Sequence, residues 1–301
     1  MGDAALSELL AEVRRIEVQS HRLVTDVLSG GYRTTFRGHG VEFAEVREFV
    51  EGDDLRTVDW NVTARIGRPF VKRFVEEREH TLVFVLDASP ALDAGLGVWS
   101  LRQLAARFCA CLGLAAIANE DRLGLVAGSD TVERFVPPRK GAQHVLRIVR
   151  DCLVLRGRTA AVDLGALVAH AGRMLRRRSV LFVLSDFARP GGERELALGN
   201  RRHDLVAVRL VPLEHTAPPR ALLRVRDPLA GGAAVVDFAS DRVRSAWLGR
   251  VAAWRAAWED RFARAGIDCI DLAVPPVPDL AAIARPLQAF FHRREQREAK
   301  R

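Results

Sequence analysis

The chain has 301 residues, of which 49% are apolar, and its formal net charge is +8 at pH 7. This length and composition suit a soluble globular protein that can bury a large core. No uninterrupted apolar run approaches the roughly eighteen residues of a membrane span, and the N-terminus is acidic where a signal peptide is basic. We therefore expect a cytoplasmic protein with no membrane span.

The basic residues and the cysteines argue against two further classes of protein. Almost all of the 46 basic residues are arginine, which is typical of a GC-rich genome rather than of a surface selected to bind phosphate. Since no aromatic-basic interleaving and no helix-turn-helix pattern is present, we expect no specific nucleic acid partner. The cysteines lie in apolar segments without CxxC spacing, which favours buried free thiols: Cys109, Cys111, Cys152 and Cys269.

The first quarter of the chain combines a helix with a charged segment. Apolar residues at helical spacing predict an amphipathic helix over residues 3–28. Charged and aromatic residues then alternate as far as Glu79, too regularly for a linker. Within this stretch, Gly52-Asp53-Asp54 predicts a turn and the cap of a short helix over residues 55–64, and residues 70–75 predict a strand. We assign residues 1–78 to an N-terminal segment packed on or beside the main domain.

Strands and helices alternate in the main domain, which we assign to residues 79–292. Such alternation predicts a doubly wound α/β fold with a mostly parallel sheet and one antiparallel edge strand. A hairpin insertion is predicted near residues 222–239, and residues 293–301 are predicted to form a polar tail that frays. The predicted strands are 81–86, 122–127, 131–136, 179–184, 205–211 and 267–273, and the predicted helices are 97–119, 140–153, 163–177, 241–265 and 279–292.

Two fully apolar strands of this domain end in polar residues. Asp87 and Ser89 follow the first strand, and Ser185-Asp186 ends the later one. Ligands bind at the carboxyl ends of strands in open α/β sheets, so both groups and the 156–159 loop are expected to meet there. Carboxylates and hydroxyls without Cys or His suit Mg²⁺, Mn²⁺ or Ca²⁺. The alternative is that these aspartates only cap the turns after their strands.

The order of these polar residues resembles the von Willebrand factor A fold and its metal-ion-dependent adhesion site. The D-x-S-x-S motif of that site reads DASPA here, so Ala91 stands in place of the second serine. The resemblance implies four metal ligands, Asp87, Ser89, Thr159 and Asp186, with Mg²⁺ as the cofactor. Water fills a vacant position readily around Mg²⁺, although a lost hydroxyl ligand weakens binding.

A block upstream of this motif is similar to one bacterial family. The frame E-x-R-x-[FY]-x-x-G-D-D-x-R-x-x-D-W-x-x-T-A-R runs from Glu45 to Arg65, and the chain later carries SDF at Ser185–Phe187 and the pair Asp227-Pro228. These residues resemble the family catalogued as domain of unknown function 58, whose members are von Willebrand A-like and are commonly encoded beside MoxR-type AAA+ ATPases. Leu229 departs from the pattern, since many relatives have an acidic residue there. The resemblance implies a MoxR-type ATPase and its client as partners.

The charged residues of the upstream block alternate in sign. Such a set more often forms an ion-pair and capping lattice, or a surface that docks a partner, than a catalytic centre. Its tryptophan is expected to anchor the block on the sheet or at an interface. The residues of this structural or partner-docking signature are Glu45, Arg47, Asp53, Asp54, Arg56, Asp59, Trp60, Arg65 and Arg78.

We therefore expect a non-enzymatic protein-protein interaction module with a degenerate metal-ion-dependent adhesion site. It would work with a MoxR-type ATPase in the maturation or remodelling of a partner complex. The alternative is a divalent-metal-dependent hydrolase or phosphoryl-transfer enzyme using Asp87 and Asp186, which has no evident nucleophile or base beyond these carboxylates. No HExxH or P-loop is present. The arginine-rich run 173–178 is expected at a helix C-terminus, where cations suit the helix dipole.

Overall fold

The computed structural model describes residues 8, 10–20, 41–50, 53–54, 57–76, 79–159, 161–226 and 232–299. The chain forms two compact units, one of residues 36–80 and one of the remaining residues, and each is described by itself. Helix α1 covers residues 10–20 and belongs to the larger unit, where Ile16 is buried and Glu12 pairs with Arg107. This division differs from the predicted boundary at residue 78, and both ends of the predicted helix 3–28 fall outside the described residues.

The smaller unit is a β-hairpin with a short helix. Strands β1 (Val41–Glu48) and β2 (Phe70–Glu76) pair in antiparallel fashion, and helix α2 (Trp60–Ile66) lies between them in sequence. The predicted strand 70–75 is confirmed, whereas the predicted helix 55–64 is wrong in its start. The helix begins at Trp60 because the Asp59 carboxylate accepts the backbone N–H groups of the first turn.

The larger unit is built on a six-stranded sheet with the order β10-β7-β6-β3-β4-β5. All neighbouring pairs are parallel except β4 and β5, so the predicted antiparallel edge strand is confirmed. The strands are β3 (Thr81–Asp87), β4 (Arg122–Gly128), β5 (Val132–Arg139), β6 (Val180–Ser185), β7 (Asp204–Val211) and β10 (Asp268–Ala273). A separate two-stranded sheet, β8 (Leu222–Arg226) and β9 (Ala233–Asp237), forms the predicted hairpin insertion.

Helices cover both faces of this sheet. Phe84 of β3 points to one face, where its ring packs against Phe108 and Phe182, while Val83 and Val85 join the core cluster on the other face. Both faces of β3 are thus buried, as its apolar run predicts. The helices are α3 (Leu101–Ala118), α4 (Ala142–Val154), α5 (Leu164–Met174), α6 (Glu193–Arg202), α7 (Asp241–Ala265) and α8 (Ala281–Glu298).

Several helix boundaries differ from those predicted. Helix α3 begins at Leu101 rather than at residue 97 because Ser100 forms a capping box with Gln103. Helix α5 ends at Met174, so the arginines at positions 176–178 follow the helix instead of lying in its last turn. The predicted polar tail from residue 293 is instead the end of α8, where Arg294 pairs with Asp204 and Asp268.

Helix α3 is the core helix of the larger unit. By length and composition it is the one described helix that is apolar enough to cross a membrane, with a mean hydropathy of 1.4. The expectation that no segment approaches a membrane span therefore does not hold for this helix by these two criteria. However, 83% of it is buried inside the unit, as a core helix requires. Its Cys109 and Cys111 are buried free thiols, as predicted, and burial raises the pKa of Cys111 to about 12.

Candidate functional site

The sheet reverses its strand order between β3 and β6, which are parallel neighbours. This is the switch point at which open α/β sheets bind ligands. Asp87 ends β3, Ser185 ends β6 and Asp186 follows directly, so the predicted meeting of the two strand ends is confirmed. A cavity of about 280 Å³ opens here, and Asp87, Ser89 and Asp186 line it together with Ala91.

The Asp87 carboxylate is fully buried and held from two sides. Its Oδ1 accepts the backbone N–H of Ser89 at 2.8 Å, and its Oδ2 accepts the hydroxyl of Ser185 at 2.8 Å. Burial raises the pKa of Asp87, while the hydrogen bonds from Ser89 and Ser185 oppose that rise. The hydrogen bonds therefore fix the carboxylate in place but do not fully replace its lost hydration.

The Asp186 carboxylate lines the same cavity, and its charged form is also disfavoured there. Burial, together with the nearby charge of Asp87, raises the pKa of Asp186 to about 6. Its Oδ1 accepts the backbone N–H of Ala188 at 2.9 Å. Asp87 and Asp186 therefore disfavour each other's charge, which a bound cation would relieve. The lining also holds Asp163, which caps α5, and Arg189, whose charge opposes the rise in the pKa of Asp186.

A buried arginine in the first turn of α3 supports the loop after β3. The Arg102 guanidinium, which is 1% exposed, donates to the backbone carbonyls of Ala88, Ser89 and Leu155 at 2.6 to 3.2 Å. It also pairs with Asp93 at 2.7 Å. Arg102 thus ties the loop after β3 to the turn that follows α4. Arg102 was not among the residues predicted from the sequence, although an arginine near the start of an otherwise apolar helix was a usable signal.

The residue after Asp186 is held in an unusual backbone conformation. Phe187 has φ of +51°, which is rare for a residue with a bulky side chain. Its N–H donates to the Ser185 hydroxyl at 3.1 Å, and its carbonyl accepts the indole N–H of Trp254 at 2.9 Å. Its ring is buried against Trp258 and Phe262. Helix α7 therefore fixes the strand end that carries Asp186.

The predicted threonine ligand lies in the adjoining loop and does not line the cavity. The loop reaches the strand end, because the N–H of Gly157 donates to the carbonyl of Ala88 at 2.6 Å. A side chain at Gly157 would clash with Ser129 and Ala88, so only glycine fits there. The Thr159 hydroxyl donates instead to the carbonyl of Ala161 at 3.0 Å and lies 3.2 Å from the Ser129 hydroxyl.

The donor set fits a hard cation that retains water. Asp87, Ser89 and Asp186 provide oxygen atoms of the kind that Mg²⁺ prefers, and Ser185, which also lines the cavity, adds a hydroxyl that the ligand prediction did not include. Within the described ranges, no group of three or more His, Cys, Asp or Glu side chains could hold a metal ion. Protein ligands for a metal are therefore few, and water would complete the coordination.

The signature residues of the smaller unit make local ion pairs and caps. Arg47 and Asp53 form a bidentate pair with distances of 2.6 and 2.8 Å, and this pairing lowers the pKa of Asp53. Asp59 caps α2, and Arg65 lies in its last turn. These contacts agree with the structural interpretation of the block.

Other signature residues are exposed or lie outside the described part of the chain. Trp60 is 70% exposed, so it does not pack on a sheet, and an interface remains the alternative for it. Asp54 is exposed, and its carbonyl accepts the Thr57 hydroxyl at 2.7 Å. Arg56, Arg78 and the side chain of Glu45 are not among the described residues, and neither are Asp227, Pro228 and Leu229.

Comparison with known sequences identifies relatives over most of the chain. The family model described as protein of unknown function DUF58 matches residues 45–257. Uncharacterised proteins of Mycobacterium bovis and Mycobacterium tuberculosis are 30% identical over 213 residues, a match that covers 70% of this chain and 67% of theirs.

Comparison with solved structures gives von Willebrand A proteins at low identity. The protein BatB from Bacteroides thetaiotaomicron is 13% identical with a TM-score of 0.43, and the match covers 74% of this chain and all of that one. A von Willebrand factor type A protein from Catenulispora acidiphila is 11% identical with a TM-score of 0.35, covering 74% of this chain and 44% of that one. Both TM-scores are below 0.5, and the mostly parallel α/β fold of this chain is shown by its own strand order.

Proposed function

Since the chain belongs to the family of proteins of unknown function DUF58, we propose that it is a non-enzymatic interaction module that binds a protein partner at the β3–β6 cavity. The partner system would be a MoxR-type AAA+ ATPase and its client, which the family resemblance suggests. The chain would then take part in maturing or remodelling a partner complex.

One observation carries this proposal: two carboxylates with raised pKa values share an open cavity at the switch point of the sheet. Asp87, Ser89 and Asp186 would hold a divalent cation, which when bound supplies a coordination site for an acidic group of the partner. Arg102 orients the loop that carries Ser89, and Ser185 orients Asp87. These contacts hold the backbone of the loop and the Asp87 carboxylate, both of which line the cavity.

The test has two arms on the full chain. Calorimetric titration with Mg²⁺ and with Mn²⁺ is expected to show binding to the wild type and none to Asp186→Asn. Pull-down of a purified MoxR-type ATPase, in Mg²⁺ and in EDTA, is expected to lose the partner in EDTA and with Asp87→Ala. Asp260→Asn is the matched control because Asp260 lies exposed on α7, away from the cavity, and pairs only with Arg264 among the described residues.

Two results would contradict the proposal. Partner recovery that is unchanged by EDTA and by Asp87→Ala would remove the cation-dependent face. Sustained turnover of a phosphate ester with Mn²⁺, abolished by Asp186→Asn but not by the Asp260 control, would instead support the hydrolase alternative. The described residues around the cavity place no His or Cys side chain in its lining, so an enzyme would have to rely on these carboxylates.

A further inference from the structure

A second surface lies at the end of the sheet opposite the cavity, beside the amino ends of β6 and β7, where α5 and α6 end. The two helices run side by side in the same direction, because residue 165 lies against Glu195, Gly199 against Val168 and Gly172 against His203. Their C-termini therefore reach the same edge, next to the starts of β6 and β7. This edge is remote from the cavity, which opens at the carboxyl ends of the strands.

This edge is unusually rich in arginine. Five exposed side chains come from the end of α5, from the turn to β6 and from the end of α6, and we call them the arginine edge: Arg173, Arg176, Arg178, Arg201 and Arg202. None forms an ion pair with a described residue. The nearest carboxylate in sequence, Asp204, is already occupied by a bidentate pair with Arg294 at 2.6 and 2.8 Å.

A buried histidine lies where the end of α6 meets the turn after α5. His203 is buried, its Nδ1 accepts the N–H of Ser179, and its pKa is lowered to about 4. Burial is the largest cause, and the charges of Arg202 and Arg178 add to it. The side chains at the end of α6 and in the turn after α5 therefore act together on one group, and no described carboxylate offsets them.

Capping of the helix ends explains only part of the arginine edge. Arg173, Arg201 and Arg202 lie in last helical turns, where cations suit the dipole, and Arg202 donates to the carbonyl of Leu175 at 3.2 Å. Arg176 lies beyond the end of α5 and makes no hydrogen bond with a described residue, and the same holds for Arg178. These two arginines therefore have no structural task in the described chain.

From this arrangement we infer that the arginine edge is a docking surface for an anionic phospholipid membrane. A cluster of about four to eight basic residues is sufficient to attract an anionic membrane surface. The arginines come from a turn and two helix ends, and all five are exposed. Met174 lies among them and is 49% exposed, which supplies an apolar side chain for the headgroup region, whereas an acidic polymer would leave it in water.

The experiment is co-sedimentation of the full chain with vesicles of phosphatidylcholine alone or with added phosphatidylglycerol. The wild type is expected to bind only the anionic vesicles, and less at higher salt. Arg176→Glu combined with Arg178→Glu is expected to lower binding at least about tenfold, since each basic residue near the surface contributes roughly a factor of five. The fold should be unaffected, which circular dichroism checks, because neither side chain forms a hydrogen bond or an ion pair with a described residue.

The control carries the same change of net charge at other exposed positions. Arg147→Glu combined with Arg242→Glu is suitable, because these side chains lie on α4 and α7 and pair with no described residue. This control is expected to bind like the wild type. Equal loss in both double variants, or no binding of the wild type to anionic vesicles, would overturn the inference. Binding to polyglutamate or to DNA without binding to vesicles would overturn it as well.

Discussion

At the scale of single residues, Asp186 is a carboxyl whose charge the fold disfavours. Its pKa rises from the ordinary value of 3.8 to about 6, first because it is buried and then because Asp87 is near. A carboxyl with a raised pKa destabilises the folded state where it is ionised. The penalty is absent below about pH 4, develops between about pH 4 and pH 6, and is complete above about pH 6.

Asp186→Asn is therefore expected to stabilise the protein in the absence of divalent cations. At pH 7.5 the gain in the free energy of unfolding should be about 1–3 kcal/mol, since each unit of pKa shift corresponds to about 1.4 kcal/mol. The gain should vanish near pH 4, where the wild-type carboxyl is protonated. Urea unfolding in EDTA at both pH values measures this, with Asp260→Asn as the control. A variant that is less stable than the wild type at pH 7.5 would show that the charge is compensated.

At the scale of elements, α7 connects the core of the larger unit with the candidate site. Most of its surface is exposed, and its aromatic side chains recur on one face at Trp247, Trp254, Trp258 and Phe262. Trp258 and Phe262 enclose Phe187, while the indole N–H of Trp254 binds its carbonyl. Because Phe187 follows Asp186 directly, this helix determines where the carboxylate lies.

Replacing Trp254 by phenylalanine is expected to affect both stability and the site. The change keeps an aromatic ring but leaves the Phe187 carbonyl without its donor, which should cost about 1–3 kcal/mol of unfolding free energy. It should also weaken Mg²⁺ binding severalfold by releasing the backbone after Asp186. Urea unfolding and calorimetric titration measure the two effects.

Trp247→Phe is the matched control for this variant. It removes an equivalent indole hydrogen bond, to the carbonyl of Glu214 at 2.9 Å, but at a place that does not border Asp186. Both variants should lose stability, and only Trp254→Phe should lose metal affinity. Equal metal affinity in the two variants would mean that α7 stabilises the fold without positioning the site.

At the scale of the whole molecule, the two compact units differ in what they bury. The sheet of the larger unit is covered with apolar side chains on both faces, whereas Val58 and Val71 are the buried residues among those described in residues 36–80. A two-stranded hairpin is at best marginally stable by itself in water, because ordering its chain costs conformational entropy. Residues 36–80 are thus expected to depend on the rest of the protein.

A peptide of residues 36–80 is accordingly expected to be unfolded by itself at 25 °C. Circular dichroism should show no hairpin signal and no cooperative thermal transition, whereas the full chain under the same conditions should unfold cooperatively. A peptide that folds alone with a sharp transition would mean that the charged lattice around Arg47 and Asp53 stabilises the unit far more than exposed ion pairs usually do.

Elements with strong local patterns were predicted well, and those without were not. The apolar run from Thr81 to Leu86 predicted a strand buried on both faces, and helix α7 was predicted at its observed bounds. Helix α6 was missed because its sequence is largely polar and contributes one buried residue, Leu196. Strand β1 was missed because a register shift between Phe43 and Glu45 interrupts the alternation of its apolar residues, and its partner β2 lies more than twenty residues away.

The sequence by itself determined the α/β fold, the family and the two strand ends that carry Asp87 and Asp186, because these depend on local runs of residues and on a motif. Only the tertiary structure decided that Ser185 binds Asp87, that Arg102 supports the adjoining loop and that Thr159 turns to Ser129. It also gathered the arginines of two helix ends at one edge. These contacts join residues far apart in the chain, and burial, which no local pattern fixes, determines the charge that each of them can carry.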